Sequence, residues 1–130
     1  MKVGIRQLVD DAEKEIETLD ATVAKDRHGS DDVVMVDLRD IRELYREGKI
    51  PGALHAPRGM LEFWVDPDSP YHKPAFAEDK TYIFYCQSGW RSALATQTVQ
   101  RMGMEKVCHV GGGFKAWSEA GGPIEEVAKK

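Results

Sequence analysis

The chain has 130 residues, 42% hydrophobic and 31% charged, the size and balance of one soluble domain and not of a disordered or fibrous chain. Acidic residues outnumber basic ones 22 to 18, for a formal net charge of −4, which argues against nucleic acid as a partner because phosphate binding shows as a basic surplus or stripe. At this length folding buries about two-thirds of the unfolded surface, so a core needs no disulfide or metal. No apolar run approaches the ~20 residues of a membrane helix, so no membrane role is expected. The opening Met1–Arg6 leads into Asp10, Asp11 and Glu13, with no signal-peptide core. Cys86 and Cys108 form no C-x-x-C pair and no disulfide framework, so a reducing compartment, the cytoplasm, is the expectation.

Residues 4–20 read as an amphipathic helix. Ile5, Leu8, Val9, Ala12, Ile16 and Leu19 follow helical spacing, and Asp10, Asp11, Glu13, Lys14 and Glu17 fill the other face. Such a helix packs on the domain or serves a partner. Residues 25–32, polar with Gly29, read as a surface turn. Val33–Val36 is a short continuous apolar run ending at Asp37, as suits a strand buried on both faces. A helical segment over 40–47 turns Leu44 and Tyr45 inward, and Gly48, Pro51 and Gly52 then lead to a short strand over 53–56. Residues 57–80, with four prolines among Leu61, Phe63 and Trp64, read as a packed loop with a helical turn. The strand Thr81–Tyr85 delivers Cys86. A helix over 91–102, a strand over 105–110 and a short helix over 114–119 complete the pattern.

Strands alternating with helices predict one α/β domain: a mostly parallel central sheet flanked by helices, with an extra N-terminal helix over 1–20 and the main domain over 21–130. The informative stretch is Cys86-Gln87-Ser88-Gly89-Trp90-Arg91-Ser92, a cysteine at the carboxyl end of a buried strand, a glycine turn and a helix start. Sites in open α/β sheets lie beyond the carboxyl ends of the strands. The turn aims backbone N–H groups and the positive end of a helix dipole into one concavity, an environment that favours thiolate and holds an anion attached to it. Arg91 adds positive charge at the rim, and Ser92 suits a cap for the helix start.

Three blocks in order then resemble the single-domain rhodaneses, the thiosulfate-type sulfurtransferases, over about residues 18 to 124. They are Asp37-Leu38-Arg39 with Gly48-Lys49-Ile50-Pro51-Gly52-Ala53 and Pro57; the C-x-x-G-x-R-S loop from Cys86 to Ser92; and Gly111-Gly112-Gly113-Phe114, Trp117 and Gly121-Gly122-Pro123. Three departures stand out: Lys49 where the family has histidine, Asp40 for a commoner glutamate, and bulky Trp90 inside the loop. The resemblance implies that Cys86 is the nucleophile. It takes a sulfur from thiosulfate or a persulfide donor, forms a persulfide, and passes the sulfur to cyanide, a thiol or a protein acceptor, with no metal or organic cofactor. The backbone N–H groups of residues 87–91 would hold the persulfide anion.

The same site on a different substrate would make a persulfide carrier loaded by a protein partner. Cysteine phosphatases and arsenate reductases share the strand–loop–helix geometry but need C-x5-R, whereas four residues separate Cys86 from Arg91 and position 92 is serine. Non-catalytic binding modules that resemble this family often lose the cysteine or deform the loop, whereas this chain keeps Cys86, Gly89 and Arg91. Asp37 and Arg39 read as a structural ion pair near the site, and Arg58 as either an anion-steering residue or an ordinary surface arginine. Trp90 reads as an acceptor contact or as loop packing, Phe114 and Trp117 as core, and Cys108 as buried and inert. His28, His55, His72 and His109 show no metal-ligand spacing, and a His–Cys pair could meet only in the fold.

Overall fold

Short apolar runs pair into a sheet and amphipathic segments cover its two faces. In the computed structural model, which describes residues 1–129, the strands are β1 (Thr18–Leu19), β2 (Val33–Asp37), β3 (Leu54–His55), β4 (Thr81–Tyr85) and β5 (Val107–Val110). They form one sheet in the order β1-β5-β4-β2-β3, and every pairing is parallel. The helices are α1 (Ile5–Glu15), α2 (Ala21–Arg27), α3 (Ile41–Glu47), α4 (Leu61–Val65), α5 (Trp90–Met102) and α6 (Gly113–Glu119).

Strand alternation sorts the core onto two faces. Ile83 and Tyr85 of β4 join Met35, Cys108, Val110, Phe114 and Trp117 on the face covered by α2 and α6. Tyr82 and Phe84 point the other way and pack with Val36, Leu61, Ala95 and Val99 under α4 and α5. The α/β class with a central parallel sheet is therefore as the sequence predicts. Helix α1 lies on α5, where Val9 and Ala12 meet Ala93.

Two local expectations change. The helix expected over 4–20 stops at Glu15, and Ile16 is already extended (φ −121°, ψ 165°). Residues 17–19 instead complete the sheet edge: the His109 N–H donates to the Glu17 carbonyl (3.1 Å) and the Gly111 N–H to that of Leu19 (2.8 Å). Leu19 suits helical spacing and an inward strand position equally, so sequence periodicity ran through the break. The turn expected over 25–32 begins later, because Lys25–Arg27 form the last turn of α2, held inward by fully buried Ala24.

The carboxyl ends of the strands are tied together by one buried ion pair. Arg39 and Asp37 are both fully buried, with Nη2 to Oδ2 at 2.8 Å and Nε to Oδ1 at 3.0 Å. Arg39 Nη2 also donates to the Gly48 carbonyl (2.7 Å), and Tyr85 Oη donates to Asp37 Oδ2 (2.6 Å) while accepting from the Ile50 N–H (3.1 Å). Removing one partner of such a pair strands a buried charge, at a cost of roughly 3–5 kcal/mol. Asp37→Asn is therefore expected to lower unfolding free energy by about that amount, measured by denaturant titration; a loss below ~1 kcal/mol would show that the pair is not structurally required.

Candidate active site

Tyr85 ends β4 at the carboxyl edge of the sheet, and the chain turns through 86–89 before α5 begins at Trp90. Gly89 makes the turn at φ +102°, a left-handed conformation that side chains resist. The turn coils around the Cys86 sulfur. The N–H groups of Gly89 and Ser92 point at Sγ from 3.2 and 3.3 Å, and Ser92 Oγ lies 3.5 Å away. Cys86 is only 1% exposed. Negative charge on this sulfur is met by backbone donors and by the N-terminal end of α5.

The loop is clamped from behind. The Phe114 N–H donates to the Cys86 carbonyl (2.8 Å) and the Lys115 N–H to that of Gln87 (3.2 Å). Gly113, at φ +62°, permits this approach: a Cβ there would lie 2.5 Å from the Cys86 carbonyl oxygen. The third sequence block is thus the support of the second.

The two arginines nearest the sulfur, Arg91 and Arg39, are both paired. Arg91 gives both terminal nitrogens to Glu43 (2.8 and 2.9 Å), and this hydrogen bonding raises the arginine's pKa and lowers the carboxylate's. Glu43 in turn closes a capping box with Asp40 at the start of α3. Arg39 Nη1 reaches the loop through Gln87 Oε1 (3.2 Å), and Gln87 Nε2 donates to Glu47 (3.0 Å). Arg58 pairs with Glu62 at 2.7 Å, and its described hydrogen bonds do not touch the loop. Ser88 is exposed, and Trp90 is 42% exposed with the Arg6 guanidinium 5.9 Å above its ring.

Ser92 does not cap α5; no side chain caps the Gly89 end. It is fully buried, with Oγ between the sulfur and His109 Nδ1, 2.9 Å away. His109 Nε2 lies 3.0 Å from Thr18 Oγ1. Neither His109 nor Thr18 was singled out from sequence. Alternation along Val107–Val110 was the available signal, since Cys108 and Val110 share one face and so turn His109 toward α5. Burial pushes His109 down to about 4, leaving a neutral ring at neutral pH, and pushes Cys108 up to about 11 on the opposite face.

The Rhodanese-like domain family matches residues 20–120. The chain belongs to that family. It is similar to the structure of RPA3614 from Rhodopseudomonas palustris, described as a protein of unknown function and possible tyrosine phosphatase. The likeness has a TM-score of 0.94 and 55% identity over 96% of each chain. It is also similar to a rhodanese-related protein from Thermoplasma volcanium (TM-score 0.68, 25% identity, 84% of this chain and 97% of that one). Thiosulfate:glutathione sulfurtransferase of Homo sapiens is 30% identical over 84 residues, covering 60% of this chain and 73% of that protein. The chain spans 47%, 59% and 40% of the length of three further curated relatives. The family and its sulfurtransferase-named relatives support placing this rhodanese-like domain in a sulfur-transfer family.

Two outcomes follow from this geometry. Gly113→Ala adds a backbone clash to the left-handed penalty, so it should lose at least ~2 kcal/mol of stability and slow alkylation of Cys86. Gly52→Ala has a similar φ (+79°) in open space and should lose only about 1 kcal/mol; equal losses in the two variants would contradict the clamp. For His109, the unfolded chain takes up the proton first as pH falls. Its contribution to stability is therefore complete above pH ~6.5 and lost toward pH ~4, by about 3 kcal/mol in all. The lowered carboxylate Glu43 begins to lose its contribution only near its ordinary value of 4.5, so the upper part of the window belongs to the imidazole. Denaturant titrations across that window should show a slope that His109→Gln flattens, and an unchanged slope would refute the assignment.

Proposed function

We propose that this rhodanese-like domain is a sulfurtransferase in which Cys86 carries the transferred sulfur as a persulfide. The observation that carries the reading is the cradle itself, with two N–H groups and a serine hydroxyl aimed at one buried sulfur inside a loop of four residues between Cys86 and Arg91. The Cys86 thiolate attacks the outer sulfur of thiosulfate, its S–S bond breaks, and sulfite leaves with the electron pair. Cyanide or a thiolate then attacks the terminal sulfur of the persulfide and frees the Cys86 thiolate, as in other two-step covalent transfers. The loop donors hold the anion at both stages, and the scheme draws on no metal or organic cofactor. Donor and acceptor are small sulfur compounds or a protein thiol. The free thiols fit a reducing compartment such as the cytoplasm.

The description of RPA3614 raises phosphatase chemistry for the same loop. Phosphate capture needs an arginine fork open to the ligand, and here both terminal nitrogens of Arg91 are held by Glu43. This favours sulfur over phosphate. Among the described residues, both arginines of the loop's surroundings, Arg91 and Arg39, are paired with carboxylates, which leaves less positive charge for the thiosulfate dianion and favours persulfide donors, including a protein partner.

Intact mass decides between these readings. The expected result is a gain of one sulfur on incubation with thiosulfate or a persulfide donor, reversed by cyanide, absent in Cys86→Ser and retained in Cys108→Ser. Loading from the persulfide alone would identify a carrier. No loading from either donor, with hydrolysis of an aryl phosphate that depends on Cys86, would overturn the sulfurtransferase reading.

A further inference from the structure

Cys86 is buried beneath its loop, yet a continuous line of exchangeable groups leads away from it through the interior. Sγ lies 3.5 Å from Ser92 Oγ, which lies 2.9 Å from His109 Nδ1; His109 Nε2 lies 3.0 Å from Thr18 Oγ1. Cys86, Ser92 and His109 are each no more than 1% exposed, whereas Thr18 is exposed on the edge strand β1. Among the described residues, the only other partner of these side-chain hydroxyl and ring atoms is the Gly89 carbonyl, 3.4 Å from Ser92 Oγ. Each group in the line can both accept and donate a proton.

We propose that Ser92, His109 and Thr18 form a proton relay joining the buried Cys86 sulfur to solvent at the sheet edge, the imidazole passing from its Nε2–H to its Nδ1–H form as the thiol ionises. The inference rests on Cys86 being the reacting thiol. In the thiol state every hydrogen bond points outward: S–H to Ser92 Oγ, Ser92 O–H to Nδ1, Nε2–H to Thr18 Oγ1, and Thr18 O–H to water. On ionisation the S–H bond breaks and sulfur keeps the electron pair. Its proton goes to Ser92, the serine proton to Nδ1, the Nε2 proton to Thr18, and the threonine proton to water. The hydrogen bonds then all point inward, so the serine hydroxyl donates to the thiolate. No imidazolium forms, in keeping with the downward shift that burial imposes on His109.

A thiol acceptor gives the relay work at each turnover. When the acceptor reacts as a neutral thiol rather than as a thiolate, its sulfur bonds the terminal sulfur, the bond from Sγ breaks with the electron pair on Sγ, and the acceptor's proton passes to Sγ. Cys86 then returns as a thiol, and the proton must leave a residue only 1% exposed. Cyanide brings no proton. The charged groups around the relay do not compete for the role. Near the sulfur, Arg91 is paired with Glu43 and Arg39 with Asp37. On the β1 side Glu17 meets His109 through its main-chain carbonyl, and Glu17 and Arg27 act on neighbouring Cys108. From α5, Thr96 Oγ1 donates to the Ser92 carbonyl and not to its hydroxyl, whose competing acceptor is the Gly89 carbonyl at the longer distance of 3.4 Å.

The test is nitrogen-15 NMR of the histidine rings in the full chain from pH ~5 to ~10, a range that spans ordinary thiol ionisation. It is run beside the pH profile of Cys86 alkylation by iodoacetamide. The expected result is a neutral His109 that exchanges Nε2–H for Nδ1–H at the pH where alkylation rises, with no such exchange in Cys86→Ala or Ser92→Ala. Alkylated wild-type protein, which needs no substitution, should lose the exchange too. Ser92→Ala should also slow alkylation at neutral pH about tenfold, the worth of one hydrogen bond to a charged group. A single tautomer throughout, an exchange that persists in alkylated protein, or imidazolium formation in this range overturns the relay. Sulfur loading with a fixed tautomer rejects the relay and keeps the sulfurtransferase, whereas a coupled tautomer in a protein that never loads sulfur does the reverse.

Discussion

Arg39 is the side chain on which the geometry of the site depends. It is fully buried and lies across the carboxyl ends of the strands, bonded to Asp37 at the end of β2, to the Gly48 carbonyl after α3 and to Gln87 after β4. Its guanidinium stacks 4.2 Å from the Phe114 ring at the start of α6. One planar group thus meets two nearby segments, at Asp37 and Gly48, and two distant ones, at Gln87 and Phe114. A buried ion pair is a weak source of net stability, because desolvation offsets most of the attraction. What it supplies here is position. Tyr85, bonded to Asp37 and to the Ile50 N–H, fixes the last residue before the cysteine in the same network.

The sulfur inherits its surroundings from that frame. With Arg39 and Arg91 both neutralised by carboxylates, the nearest uncompensated positive ends are backbone N–H groups, which cannot swing away or be protonated. Preorganised dipoles of this kind stabilise a small anion without reorganising as charge moves between sulfur atoms. They also set a limit. On the proposed reading, a compact monoanion at the end of the cysteine matches two N–H donors and a hydroxyl, while a phosphoryl group enclosed by the loop would need a charged fork that this loop has committed elsewhere. RPA3614 shares most of this chain's length and over half its residues, so the same argument about its loop is open to the same test.

Most of this was legible in the sequence because it resides in backbone conformation. A buried apolar run, a glycine at a left-handed turn and a helix start are local properties, so Thr81–Tyr85, Gly89 and the start of α5 could be read directly. Gly113 was legible as part of a motif, but its reason, the approach to the Cys86 carbonyl, appears only when β5 lies beside β4. The pairing of Arg91 with Glu43 was hidden because the two lie 48 positions apart, and so was that of His109 with Thr18, 91 apart. The N-terminal segment misled for another reason. Ile16 and Leu19 continue a helical stripe, and only the open edge of β5 makes the extended alternative better, since it satisfies the His109 and Gly111 N–H groups.

That edge changes the meaning of the N-terminal segment. The family match begins at residue 20, so α1 and β1 lie ahead of it and resemble an appendage. Yet α1 packs against α5, the helix whose first turn forms half of the sulfur cradle, and Arg6 stands over Trp90 at the mouth of the loop. Thr18 supplies the side-chain partner of a buried histidine that would otherwise leave a ring nitrogen unsatisfied, a cost of about 1–3 kcal/mol. A chain cut at residue 20 would retain the three motif blocks and the cysteine loop. It would expose the β5 edge, uncover the flank of α5 and leave His109 Nε2 without its protein partner. The segment outside the family match therefore acts on the Cys86 loop through two layers of packing, and the sheet is complete only with its added edge strand.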